Sequence, residues 1–84
     1  MILTIQVNSP GIFEAAYDDN RCVLSLHFKN TDIDYIYDFA GVPPEIGYSF
    51  PKGQDADTYF LKYIRNQYAI SKRKYDWPAT SRST

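Results

Sequence analysis

Side chains able to do covalent or metal chemistry are few in this sequence. There is one histidine, His27, and one cysteine, Cys22. They stand five positions apart, which puts them on opposite faces of a regular strand. A Cys–His nucleophilic pair is therefore not expected. Without a second histidine or cysteine, the usual tetrahedral zinc set is incomplete. Asp32, Asp34 and Asp38 share strand parity, but alternate strand residues lie roughly 6.6 Å apart, too far for their carboxylates to converge on one cation. They read as a solvated acidic strand face that discourages edge-to-edge pairing. Gly41, Gly47 and Gly53 are isolated and match no phosphate-cradling loop. The expectation is a protein with no catalytic residue, no metal site and no cofactor.

The stretch from Tyr59 to Trp77 carries the richest binding chemistry. Cations there are interleaved with aromatic side chains, and cations attract phosphates while aromatic faces stack on unpaired bases. Lys62, Arg65, Lys72, Arg73, Lys74, Tyr75 and Trp77 are the candidate nucleic-acid contacts. The competing explanation is that the aromatics form core and the cations cover it with their aliphatic stems. That explanation suits Phe60, Ile64 and Tyr68. For Lys72 to Lys74, Tyr75 and Trp77 both remain open.

Charge is unevenly distributed. Residues 1–51 hold two basic and seven acidic side chains, a net of −5, whereas residues 52–84 hold seven basic and three acidic, a net of +4. The whole chain is nearly neutral, at −1. This asymmetry fits a polyanion-binding face or an internal attraction between the halves.

The elements that must position these groups follow from periodicity. Eighty-four residues make one domain. Eight Tyr, five Phe and one Trp supply large apolar side chains to so small a core and argue against disorder. Residues 2–7 and 12–17 read as short strands separated by the turn signal Asn8-Ser9-Pro10-Gly11. Cys22, Leu24, Leu26 and Phe28 alternate with mostly polar residues, as do Ile33, Tyr35, Tyr37 and Phe39. Both runs predict strands with one buried face, joined by a hairpin at Asn30-Thr31-Asp32. Pro44 suits the first turn of a brief helix. Phe60, Ile64 and Tyr68 recur every four residues and predict an amphipathic helix over about 56–70, capped by Asp55 or Asp57. Its apolar side should bury Tyr35, Tyr37 and Phe39. The fold class is thus α+β: a three- to four-stranded antiparallel meander with a C-terminal helix packed on one face. Residues 1–70 form the domain, and 71–84 a basic, then polar tail with a mobile end. The single cysteine, the lack of a signal-peptide pattern and the lack of a long apolar run predict a cytoplasmic chain with no membrane partner.

The ordered motifs resemble the KTSC domain, named after the C-terminal domain of some lysyl-tRNA synthetases and also found as small stand-alone proteins. The resemblance is carried by Tyr17-Asp18, by Leu24-Ser25-Leu26-His27-Phe28, by Tyr35-Ile36-Tyr37 and by Val42-Pro43. Its most specific part is Tyr59-Phe60 with Ile64-Arg65 and Tyr68. It spans about residues 8–70. The chain departs from the family pattern at Asp55-Ala56-Asp57, where Ser-x-Gly is common, at Leu61, where Asn is usual, and at the hairpin 30–32, where a Gly-rich turn is usual. The resemblance implies an RNA-binding role through the family's attachment to a tRNA enzyme. The second expectation is a stand-alone protein-interaction factor, phage- or mobile-element-encoded, whose acidic half docks on a basic host enzyme.

Overall fold

The computed structural model describes residues 2–29 and 33–75. The hairpin tip 30–32 with Asp32, and the segment 76–84 with Trp77, lie outside the described residues. Five strands form one antiparallel sheet in the order of the chain: β1 (Ile2–Gln6), β2 (Ile12–Asp18), β3 (Val23–Phe28), β4 (Tyr35–Ala40) and β5 (Ala69–Lys74). Two short helices, α1 (Pro44–Tyr48) and α2 (Ala56–Tyr59), lie between β4 and β5, and α2 continues into a π-helical segment, Phe60–Ile64.

The register assigns every strand residue to a face. One row across the sheet runs Ile5, Ala15, Leu26, Tyr37, Lys72; its neighbour runs Leu3, Tyr17, Leu24, Phe39, Ile70. These rows face the helices, because Ile5, Ala15, Tyr17, Leu24, Leu26 and Phe39 share one buried cluster with Val42, Phe50, Ala56 and Ile64. The opposite face carries the row Thr4, Ala16, Ser25, Asp38, Ser71. The pairing of β2 with β3 shifts between Ile12 and Glu14, so a bulge at Phe13 brings Glu14 opposite His27.

Three expectations need correction. First, the sheet has five strands rather than three or four. Second, the four-turn helix over 56–70 ends early. Arg65 leaves helical backbone at φ −59°, ψ 130°, and Asn66 takes the left-handed region at φ 62°. Asparagine tolerates that region because its short polar side chain can bond locally. Tyr68 still packs on the core, but from the turn that follows. Third, the chain then returns as β5 beside β4, so the boundary expected after residue 70 falls inside a strand, and no helix is C-terminal among the described residues.

Capping also differs. Asp55 occupies the position before α2 but makes no side-chain cap. Asp57, in the first turn, reaches back to the β1–β2 turn, accepting from Ser9 Oγ at 3.1 Å and from the Gly11 backbone N–H at 3.1 Å. Ser9 is buried and in turn accepts from the Ile12 N–H at 3.2 Å. This pins α2 to residues nearly fifty positions earlier. Asp57→Ala is expected to cost about 1–2 kcal/mol, since it strands a buried hydroxyl and an amide. A urea midpoint lowered at constant slope would verify it, and Asp57→Asn should recover part of the loss.

Candidate functional site

Strand parity decides what the basic cluster can reach. In β5, Ile70, Lys72 and Lys74 point toward the helix-bearing face, opposite Phe39, Tyr37 and Tyr35 respectively. Arg73 lies opposite Ile36 and points the other way. The run Lys72-Arg73-Lys74 is therefore two surfaces and not one.

On the helix-bearing face, β5 and the π-helical segment stop short of full closure. Phe28, Tyr37, Phe39, Phe60 and Ile70 line an open groove of about 260 Å³. Its rings meet edge to face: Phe60 lies 5.3 Å from Phe28 and 5.7 Å from Phe39, and Phe28 lies 5.5 Å from Tyr37, between centroids. That geometry suits the ring quadrupoles. Ile70 is 53% exposed at the rim. Lys72 Nζ sits 4.7 Å from the Tyr35 ring centroid and 5.9 Å from that of Tyr37, within cation–π range. The expected burial of the hairpin aromatics by the helix thus holds for Phe39 and Ile64, which are fully buried, while Tyr37 and Phe60 keep a surface on the groove.

Phe60 is positioned by an unusual turn. The Arg65 N–H donates to the Phe60 carbonyl at 2.8 Å, an i to i+5 bond that widens the helix. Such π segments recur at functional sites. Lys62 and Arg65 project from this segment with exposed side chains, and Lys62 Nζ lies 5.3 Å from the Tyr63 ring. Tyr59 anchors the helix by donating to the Ile46 carbonyl at 2.9 Å. Burial, then the neighbouring Tyr63 and Tyr68, raises the Tyr59 hydroxyl above the ordinary tyrosine range.

The opposite face consumes the remaining candidates. Arg73 grips Asp38 with two bonds, Nε to Oδ2 at 2.6 Å and Nη2 to Oδ1 at 3.2 Å, and Ser25 Oγ donates to Asp38 Oδ1 at 2.5 Å. Tyr75 donates its hydroxyl to Glu14 Oε2 at 3.1 Å and its N–H to the Asp34 carbonyl at 2.7 Å. Burial, then the Glu14 carboxylate, pushes the Tyr75 hydroxyl up. His27 lies against Tyr75 at 4.5 Å between ring centroids, donates from Nε2 to the Ile33 carbonyl at 2.7 Å, and has Nδ1 3.2 Å from Glu14 Oε2. Arg73 and Tyr75 therefore tie β5 to the sheet, a role that sequence alone did not suggest.

The acidic half is engaged internally as well. Besides Glu14 and Asp38, Asp18 accepts from the Asn20 and Arg21 amides at 3.0 and 3.4 Å. Asp19 accepts from the Tyr48 hydroxyl, a bond that holds the carboxyl below its usual range and the phenol above it. Among the described residues, no group of three or more His, Cys, Asp or Glu could hold a metal ion, and no helix is long and apolar enough to cross a membrane.

A five-stranded antiparallel meander with short helices packed on one face defines the class: a small, mostly β, single-sheet domain. The model of the KTSC domain matches residues 8–68, and the chain belongs to that family. The fold is similar to the crystal structure of a KTSC domain protein from Yersinia pestis, at 21% identity and a TM-score of 0.70, covering 90% of this chain and 100% of that one. No curated protein matches the sequence.

Proposed function

We propose that this KTSC domain is a non-catalytic module that binds single-stranded RNA on the face shared by β5 and the π-helical segment. One observation carries this reading: Lys72 and Lys74 stand on the same strand face as the groove lined by Tyr37, Phe39, Phe60 and Ile70. Cations beside half-buried aromatic rings such as Tyr37 and Phe60 are what a phosphate backbone with unpaired bases could use. Lys62 and Arg65 extend the positive surface from the helix side. RNA, in preference to DNA, rests on the resemblance to domains attached to lysyl-tRNA synthetases. The candidate contacts accordingly narrow to Lys62, Arg65, Lys72 and Lys74, since Arg73 and Tyr75 hold the sheet together.

The rival reading, a factor that docks on a basic host enzyme, drew its motive from the acidic half. Glu14, Asp18, Asp19 and Asp38 each have a partner within the chain, and the Arg73 guanidinium offsets the charge of Asp38, which removes one carboxylate from what that surface offers a basic protein.

The test is fluorescence anisotropy with single-stranded RNA oligomers across a salt series. Lys72→Ala with Lys74→Ala is expected to weaken binding and to reduce the slope of log K against log salt by about 1.4, at roughly 0.7 for each phosphate no longer neutralised. Both side chains lie on an exposed edge, so folding should persist. An affinity indifferent to salt, or to these two substitutions, would sink the proposal.

A further inference from the structure

We infer that the groove between β5 and the π-helical segment is a slot for one unpaired nucleobase, whose flanking phosphates meet Lys72 and Lys74. This rests on the RNA-binding reading and adds to it a place, a ligand chemistry and a selectivity. The groove walls are Phe28, Phe39, Phe60 and Ile70, with the Tyr37 ring beside them. At about 260 Å³ the space lies just below the range for drug-sized ligands, fitting a flat heterocycle rather than a folded peptide segment.

The lining is mainly apolar, with Phe or Ile at four of its five side chains, so a base would gain more from stacking and dispersion than from edge-specific hydrogen bonding. Discrimination should therefore be weak and follow stacking strength, with adenine favoured over uracil and no strict sequence code. The charges stand where the backbone would need them. Lys72 ends the row that contains Tyr37, and Lys74 pairs with Tyr35 further along the same strand. Lys72 Nζ is held over the Tyr35 ring at 4.7 Å, beside the groove. The wide π turn sets Phe60 against Phe28 and Phe39 and leaves the opening toward Ile70.

The experiment uses the full chain with hexameric single-stranded RNA, comparing wild type with Ile70→Trp, which fills the groove from an exposed position, and comparing intact oligomers with ones carrying a single abasic site. Ile70→Trp is expected to lower affinity about tenfold while leaving the salt slope unchanged, and an abasic site at one position is expected to cost about as much. Ring protons of Phe28, Tyr37 and Phe60 should shift on titration with the intact oligomer, a readout that needs no variant. If Ile70→Trp and abasic oligomers bind like wild type and intact RNA, with lysine dependence retained, the slot is wrong and backbone-only RNA binding stands. If wild type binds no single-stranded RNA, both readings fall. Ring shifts confined to residues outside the groove would likewise overturn the slot.

Discussion

Gly47→Ala is expected to destabilise the domain by about 3 kcal/mol or more, although helix propensity alone favours the substitution. Alanine in a helix interior is ordinarily better than glycine by about 1 kcal/mol. Here the added Cβ would lie 2.4 Å from Tyr17 Cδ1 and Cε1, far inside contact distance. The ring cannot step aside. Tyr17 is fully buried in mid-sheet, its hydroxyl donates to the Val42 carbonyl at 2.6 Å, and the Tyr48 ring stands edge-on to it at 5.4 Å. Burial, followed by the nearby Cys22 thiol, pushes the Tyr17 hydroxyl well above the ordinary tyrosine range. The helix cannot move cheaply either, because Tyr59 holds the Ile46 carbonyl and, just before the helix, the Val42 N–H donates to the Cys22 carbonyl at 2.9 Å. Overpacking alone costs about 1–3 kcal/mol in a tight core, and lifting α1 would also strain the Tyr17–Val42 bond. A chain of this length has only about 4–13 kcal/mol in total. Urea denaturation gives the answer. A midpoint at or above wild type would show that α1 shifts freely, and Gly47→Ala combined with Tyr17→Leu should recover part of the loss if the clash is the cause.

The sequence was legible where one face of an element is buried and opaque where neither is. Leu24 and Leu26 in β3, and Tyr37 and Phe39 in β4, face the main core and alternate with Ser25, His27 and Asp38, so period-2 patterning found both strands even though Ile36 is also fully buried on the other face. β5 has no such contrast. Its Ile70, Lys72 and Lys74 face one way and Ala69, Ser71 and Arg73 the other, and every one but Arg73 is exposed. An edge strand guarded by lysines reads like a basic tail. The helix end misled for a related reason: Tyr68 falls at helical spacing from Phe60 and Ile64, yet reaches the core after the backbone has turned at Arg65 and Asn66. In the site, residue types were readable but faces were not. Once 69–74 is a strand, parity alone separates Lys72 and Lys74 from Arg73. Nothing local announces that Asp57 holds Ser9, or that Ile70 and Phe28 share a groove; both depend on long-range pairing.

Asp38→Ala offers the most discriminating test of how β5 is held. Simple electrostatics says that removing a carboxylate strengthens binding to RNA. On the proposed RNA-binding reading, the contacts of Asp38 argue the opposite. Asp38 accepts both bonds from Arg73 and the bond from Ser25, a residue only 1% exposed. Its loss strands a buried donor and an arginine together, for about 2–3 kcal/mol. The pair is 20–30% exposed on its side chains, so water takes up some of the loss and the figure stays below that of a fully buried ion pair. The cost should fall on β5 first, because this edge strand is exposed and, among the described residues, pairs with β4 alone, with Tyr75 adding a side-chain bond at its end. Amide exchange in 69–74 is then expected to accelerate far more than in β2 or β3, a local opening and not global unfolding. With β5 loosened, Lys72 and Lys74 lose their fixed place beside the groove, and if the proposed RNA site is right, affinity is expected to drop despite the more favourable net charge. Asp38→Asn keeps one oxygen that can serve Ser25 and Arg73 Nη2 but sets an amide NH2 against Arg73 Nε, so it should fall between the two. Tighter RNA binding by Asp38→Ala, with β5 exchange unchanged, would mean that the Arg73 contact does not position the lysines and that the opposite face has no part in binding.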